Sequence, residues 1–174
     1  MSGLHVLLTP ISIDGLRDFH EYSILPELYE YLEFPAFKTL EDSQHYLEKL
    51  IHRSSFPEAQ YWFIRLPDSY KVVGTICLHS LDVSRASVEI GYGLSPAYWG
   101  RGIFRSAAEL VIHYAFNKLS LRRIVARTSI HNSASMRGLE KLGFKTEGVM
   151  RDYYRNVAGE WFDAVLLSKL STDK

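Results

Sequence analysis

With 174 residues, 47% of them hydrophobic and 23% charged, the chain is long enough to bury a core of its own and is read as one domain over 1–174. Lys plus Arg and Asp plus Glu stand at 20 each, so no overall field recruits nucleic acid, which argues against a generic RNA or DNA binder. Cys77 is the single cysteine, Met1-Ser2-Gly3-Leu4-His5 lacks the basic and apolar regions of a signal peptide, and no apolar run reaches membrane-spanning length. Those features predict a cytoplasmic protein without a membrane segment.

Leu4 to Leu8 reads as a short strand ended by Thr9-Pro10. Ile13, Leu16 and Phe19 recur at helical spacing through Ile13 to Tyr22, and a second helical stretch follows over Pro26 to Leu32. Thr39 with Glu41 and Asp42 resembles an N-cap and acidic first turn, opening a helix to about Ile51 with Leu40, Tyr46 or Leu47, and Leu50 inward. From residue 60 the period changes to that of strands. Gln60 to Leu66, Lys71 to Leu81 and Ser87 to Ser95 are rich in β-branched and aromatic residues and are separated by turn residues, which predicts an antiparallel meander. Gly102 to Lys118 reads as a helix with Ile103, Leu110, Val111, Tyr114 and Ala115 inward. A strand over Arg122 to Ile130 and a helix over Asn132 to Leu142, stopped at Gly143, come next. Phe144 to Asp152 and Trp161 to Leu170 supply two closing strands. That order predicts an α+β fold with a mixed sheet.

The segment after the third meander strand carries the strongest chemical signal. Pro96 ends the strand, and Ala97-Tyr98-Trp99-Gly100-Arg101-Gly102 leads directly into a helix. A strand, a glycine turn and a helix start form an anion site, because unpaired backbone N–H groups converge there. Gly100 and Gly102 allow close backbone approach, and Arg101 and Arg105 add charge suited to phosphate oxygens. Neither the dinucleotide fingerprint nor the nucleotide-triphosphate loop is present.

The run Glu89-Ile90-Gly91-Tyr92-Gly93-Leu94-Ser95-Pro96-Ala97-Tyr98-Trp99-Gly100-Arg101-Gly102-Ile103 resembles the acetyl-CoA segment of the GNAT superfamily. Asn132-Ser133-Ala134-Ser135, Glu140-Lys141-Leu142-Gly143-Phe144, Glu147-Gly148 and Arg151 add to the likeness, as do Leu32-Glu33-Phe34 and Thr39-Leu40-Glu41. The nearest match within the superfamily is the Rim-type group of ribosomal-protein N-terminal acetyltransferases. Two positions depart from the broad superfamily pattern: Trp99 replaces Gln or Arg, and Phe104 replaces Gly or Ala. The resemblance implies a mixed, mainly antiparallel sheet of about seven strands flanked by helices. It further implies acetyl-CoA as acyl donor, without a metal. The pyrophosphate would rest on the N–H groups of Arg101, Gly102, Ile103, Phe104 and Arg105, with the pantetheine arm beside the backbone of Tyr92 to Leu94 and Asn132 opposite. Asn132 also suits a plain helix cap, and the two roles are compatible.

Amine acetylation needs a neutral amine, a stabilised oxyanion and a proton for the leaving thiolate. Glu89 is the first candidate for proton acceptor; alternation with Val88 and Ile90 points it toward either solvent or the cleft. By resemblance, Ser135 is the candidate acid for the CoA thiolate, with Tyr153 or Tyr154 as substitutes, and the backbone N–H near Leu94 is a candidate oxyanion donor. His5, His20, His45, His52, His79, His113 and His131 are scattered and form no metal pattern, and Cys77 reads as a small core residue. Glu27, Glu30, Glu33, Phe34 and Phe37, with Tyr153, Tyr154, Arg155, Glu160, Trp161 and Asp163, are acidic and aromatic residues that suit a cationic acceptor. The first expectation for the acceptor is a protein N-terminal amine, acting in a monomer or homodimer. A small amine (aminosugar, polyamine or antibiotic) and a non-catalytic acyl-CoA-binding module are the alternatives.

Overall fold

The computed structural model describes residues 6–173, so Leu4 and His5 of the expected opening strand lie outside the described residues. Seven strands form one sheet: β1 (Leu7–Pro10), β2 (Gln60–Arg65), β3 (Val72–Asp82), β4 (Ser87–Leu94), β5 (Arg123–Ser129), β6 (Lys145–Arg155) and β7 (Trp161–Leu170). They lie in the order β1-β2-β3-β4-β5-β7-β6, antiparallel throughout except for β4 and β5. A parallel pair needs a crossover, and α3 (Ile103–Asn117) provides it. The other helices are α1 (Leu16–Ser23), α2 (Leu40–Ser54) and α4 (Ser133–Lys141). The α+β class with a mixed, mainly antiparallel seven-stranded sheet is therefore the observed one.

The helices lie on both faces of the sheet. α1 and α2 cover one face with Phe19, Tyr22, Leu47 and Leu50 over Phe63 and Val72. α3 and α4 cover the other with Ile103, Ala107, Val111 and Leu139 over Ile76, Ile90, Ile124 and Leu167. Strand alternation thus gives β4 two separate inventories: Val88, Ile90, Tyr92 and Leu94 face α3, and Glu89, Gly91 and Gly93 face α1 and α2. Thr39 caps α2 through a reciprocal capping box with Asp42, as its sequence promises. The buried Arg65 is satisfied by Thr9 Oγ1, the Tyr70 carbonyl and Asp14, tying β1, the β2–β3 turn and the start of the helical region together.

Several sequence expectations need correction. Thr9-Pro10 does not end β1: Pro10 pairs with Trp62, and an edge strand tolerates a residue with no N–H. The expected helix at Ile13 begins as a 3-10 turn over Ile13–Gly15, because a Cβ at Gly15 would fall 2.4 Å from the Phe63 ring and the chain enters α1 pressed onto that ring. Leu40, expected inward, is exposed, and so is Ile13. Pro26 to Leu32 yields a single 3-10 turn, Pro26–Tyr29. In α3, Leu110 is 48% exposed, while Ala107, Ala108 and Ala115 face the sheet and let the helix approach closely. β6 continues past Asp152 to Arg155, because Asp152 (φ 47°) occupies a register shift within the strand and does not end it.

Candidate active site

The site is a fork in the sheet. β4 and β5 pair only at Ser87↔Arg123, Val88↔Ile124 and Glu89↔Val125. Beyond Glu89, β4 stays with β3 as far as Gly74↔Leu94, and β5 stays with β7 as far as Ser129↔Ala164. Each strand keeps its outer partner and loses its inner one, so a gap opens toward the ends of both. The Ser95 N–H donates to the Val73 carbonyl on the β3 side, so alternation turns the backbone groups of Tyr92 and Leu94 into the gap. Trp99 Nε1 donates to the Leu94 carbonyl at 2.7 Å, which leaves the Leu94 amide and both Tyr92 backbone groups directed inward.

At the top of the gap the chain enters α3 through Gly100 (φ 70°) and Gly102 (φ 76°), both left-handed. Gly102 is the N-cap and offers no side-chain acceptor. The first helical bond runs from Ser106 N–H to the Gly102 carbonyl, so the N–H groups of Ile103, Phe104 and Arg105 have no acceptor within the helix. Three converging donors and the positive end of the helix dipole suit a phosphate. The side chains divide differently from the backbone. Arg101 is exposed, with its guanidinium 5.4 Å from the Tyr98 ring centre, and Ile103 is buried in the core. Arg105 turns along the helix to Glu109 (2.8 Å), so it brings its backbone N–H to the loop and spends its charge elsewhere. Phe104, where the broad pattern has a small residue, packs 4.1 Å from the Tyr92 ring centre and against Gly138, where a Cβ would lie 3.0 Å from the ring. The missing side chain of α4 accommodates the added one of α3.

On the α4 face, Asn132 Oδ1 accepts from the Ser135 N–H at 3.0 Å, so Asn132 acts as a helix cap. Ser135 Oγ lies 2.7 Å from the Tyr92 hydroxyl. Burial pushes that phenol up to about 12, so it is a neutral hydrogen-bonding group. Ser135 and Tyr92 thus join α4 to β4 above the gap.

On the opposite face, Glu89 points into the fold: its side chain is 13% exposed and Arg127 of β5 grips both carboxylate oxygens, Nε to Oε1 at 2.8 Å and Nη2 to Oε2. Arg127 also donates to the Tyr153 hydroxyl. The hydrogen bonds to Glu89 raise the already high pKa of Arg127, so this pair is ionic. Tyr153 meets Tyr154 edge-on at 4.9 Å, and burial pushes Tyr154 up to about 12. Next to Glu89 across the strands is His79, with Nδ1 3.0 Å from Ser80 Oγ. Gly91 and Gly93 give this face of β4 a bare floor where side chains would otherwise stand. Cys77 pairs with Gly91 across the strands and its sulfur would lie 3.0 Å from a Cβ there, so it packs over that glycine; its thiol is pushed up to about 12 by burial, and it is a core residue.

The remaining acceptor candidates separate. Phe34 and Phe37 join Tyr29 and Tyr46 in the aromatic packing over α1 and α2. Glu33 accepts from the Arg155 N–H at 3.4 Å and so approaches β6, whereas Glu27 and Glu30 are exposed. Glu160 holds the β6–β7 turn through Asn156, Trp161 stacks with Arg155, and Asp163 accepts from the Asp152 N–H at the register shift. Arg127, His79 and the glycine floor were missed by sequence reasoning. Arg127 does alternate with Ile124 and Ala126 in β5, a local sign of its face, but its pairing with Glu89 needs the parallel contact between β4 and β5. Among the described residues no group of three or more His, Cys, Asp or Glu side chains could hold a metal ion, and no helix is long and apolar enough to cross a membrane.

Residues 5–145 match the family model described as the acetyltransferase (GNAT) domain. The probable N-acetyltransferase YjcK of Bacillus subtilis is 31% identical over 160 residues, covering 90% of this chain and 83% of YjcK. The crystal structure of the ribosomal-protein-S5-alanine acetyltransferase of Vibrio fischeri superposes with a TM-score of 0.84 at 25% identity, over 99% of this chain and 97% of that one. The spermidine N-acetyltransferase of Vibrio cholerae, solved with CoA and spermine, superposes with a TM-score of 0.82 over 97% and 96% of the two chains, and at 18% identity shares the fold. The capless helix start, the forked sheet and these matches agree: the chain belongs to the GNAT acetyltransferase family and is an acetyl-CoA-dependent N-acetyltransferase.

Proposed function

We propose that the chain acetylates the α-amine at the N-terminus of a protein by direct attack on acetyl-CoA in a ternary complex. The observation that carries this reading is the gap between β4 and β5, with bare helix N–H groups at its mouth and polar side chains on both faces of its inner end. The donor's pyrophosphate would rest on the backbone of Arg101 to Arg105, and its arm would follow Tyr92 to Leu94 past Asn132. The Leu94 N–H would polarise the thioester carbonyl, and Ser135 would supply the proton for the thiolate. The amine would approach across Gly91 and Gly93 on the α1–α2 face, where Glu89 accepts one of its N–H groups and so orients it.

Magnitudes favour an α-amine. With a pKa of about 7.7–8.0, roughly a tenth of it is neutral at pH 7, against far less than about 1% for a lysine near 10.4. A site relying on a modest proton acceptor serves the first far better. A polyamine calls for several unpaired carboxylates, yet Glu89 at the inner end of the gap is already paired with Arg127. The Vibrio fischeri structure, whose own acceptor is the alanine of a ribosomal protein, supports the same choice. The buried lone Cys77 fits a reducing, cytoplasmic setting.

The test is acetyl-CoA turnover, read by thiol release, across peptides with different N-terminal residues, lysine side-chain peptides, spermidine and an aminosugar. N-terminal peptides should give the highest kcat/KM. A preference for spermidine or the aminosugar would replace the acceptor assigned here, and acetyl-CoA binding without turnover of any amine would point to a binding module.

A further inference from the structure

We propose that His79 is the group that takes the proton from the attacking amine, with Glu89 beside it as a positioning residue. The proposal rests on the acetyltransferase reading above and names the proton acceptor of that same site. Its first support is geometric. A Cβ built on Gly91 would come within 3.0 Å of Cys77 Sγ and 3.4 Å of His79 Nε2, so the ring leans over the glycine floor of β4 beside the buried thiol. Gly91 is two residues past the last β4–β5 rung at Glu89, so Nε2, reaching over β4 from β3, lies beside the inner end of the gap. Among the described residues, Nε2 has no hydrogen-bond partner, whereas both carboxylate oxygens of Glu89 are committed to Arg127. A carboxylate whose two oxygens already accept from a guanidinium has less lone-pair capacity to offer an incoming proton.

The second support is the way β3 is built around the ring. The register between β3 and β4 shifts after His79, and Ser80 sits in that shift with φ 56°, a left-handed conformation costly for a non-glycine residue. This bend carries Ser80 Oγ to 3.0 Å from His79 Nδ1. When Nδ1–H donates to that oxygen, the proton is fixed on Nδ1 and the lone pair on Nε2, aimed at the floor. The charged groups around the ring act in both directions. Glu89 on β4 favours the imidazolium, Arg127 on β5 and Arg53 on α2 oppose it, and burial, the largest influence, lowers the pKa. A neutral imidazole at pH 7 is the result.

The amine nitrogen attacks the thioester carbonyl, the N–C bond forms, the C–S bond breaks, and the nitrogen's proton passes to Nε2. The thiolate takes a proton from Ser135 Oγ, His79 returns its proton to water, and Ser135 recovers one from water.

Three variants test this with a peptide beginning with Ala as acceptor. His79→Gln should lower kcat by about 10²–10⁴-fold and leave the acetyl-CoA Kd unchanged. Wild type should show a rise of kcat with pH below about 6.5, through the lowered pKa of His79, and His79→Gln should abolish it. Glu89→Gln should raise the peptide KM and keep that acid limb. Ser80→Ala should lower kcat less than His79→Gln does, through loss of the fixed tautomer. A His79→Gln enzyme with kcat within about threefold of wild type, or with the acid limb intact, overturns the proposal. Long-range proton–nitrogen NMR of the free protein needs no acceptor: an Nδ1–H tautomer at pH 7 supports the assignment, and an Nε2–H tautomer or an imidazolium overturns it. Failure of wild type to bind acetyl-CoA or to acetylate any amine counts against the acetyltransferase reading, while the tautomer still decides on His79.

Discussion

Gly102→Ala gives the sharpest test of the loop. Gly102 is the N-cap of α3 at φ 76°, ψ −1°, and an L-residue held there is disfavoured by roughly 1–2 kcal/mol. That strain must surface in one of two observables. If the free loop keeps its shape, the strain lowers folding stability and Tm falls by about 2–8 °C for a chain of this size. If the free loop relaxes, Tm holds, but acetyl-CoA must restore the strained shape and its Kd rises about 5–30-fold. Intermediate behaviour divides the same 1–2 kcal/mol between them. Gly100→Ala is the control: its φ is 70° and a Cβ there meets nothing within 4 Å, so it carries the conformational cost without a steric one. Thermal unfolding with and without acetyl-CoA, plus titration calorimetry for Kd, measures both. Unchanged Tm and unchanged Kd in Gly102→Ala would refute both the strain and the placement of the pyrophosphate.

Asn132→Ala removes the cap to Ser135 N–H and should destabilise by about 1 kcal/mol, whereas Asn132→Ser should retain most of that stability. A raised acetyl-CoA KM in both variants would separate donor contact from capping; an unchanged KM in both confines Asn132 to the cap. Cys77, with its thiol pushed up to about 12, should resist Ellman's reagent in the native state at pH 8 and react fully in denaturant, and rapid native labelling would show that burial has been misjudged. Cys77, Tyr46, Tyr92 and Tyr154 all hold protons up to about pH 12 in the fold, above their ordinary values. The unfolded chain releases those protons from about pH 8.5–10 upward, so stability is fully present below that range and falls as pH rises through it. Tm measured from pH 8 to 11 should decline accordingly, and a flat profile would contradict the burial of these groups.

The parts of this molecule that were legible in the sequence are those set by neighbours in the chain. Thr39 and Asp42 announce α2, Asn132 caps α4, and Gly100 and Gly102 mark the loop, because capping and left-handed φ are decided within four or five residues. The fork was not legible as a feature of pattern or period. It arises because β4 and β5 each keep their outer partner after a short parallel contact, a relation between segments more than thirty residues apart. Glu89 illustrates the consequence. Its alternation left both solvent and cleft open, and only the adjacency of β5 supplies Arg127 to decide between them. His79 looked like one of seven scattered histidines for the same reason: it stands opposite Glu89 across the strands and leans toward Gly91, and a missing side chain on one strand is no signal on another.

The Glu89–Arg127 pair also explains how the fork is held. Arg127 lies two residues beyond Val125, the last residue of β5 to pair with β4. The ion pair therefore continues the β4–β5 connection by side chains just where the backbone ladder stops, and Tyr153 extends it to β6. A gap in a sheet exposes unpaired N–H and C=O groups that would otherwise invite closure or another strand. A charged clamp, side chain 28% exposed for Arg127, ties the two strands at the inner end of the gap, and on the other face Tyr92 packs against Phe104 of α3. The proposed donor contacts fall within residues 92–105 and the start of α4, whereas the proposed acceptor face draws on β3, β4, β5 and β6. Substitutions on the acceptor face that spare Glu89 and Arg127 can change the amine without moving the loop. That separation gives a physical reason for proteins of this fold to acetylate a ribosomal-protein alanine in one case and spermidine in another.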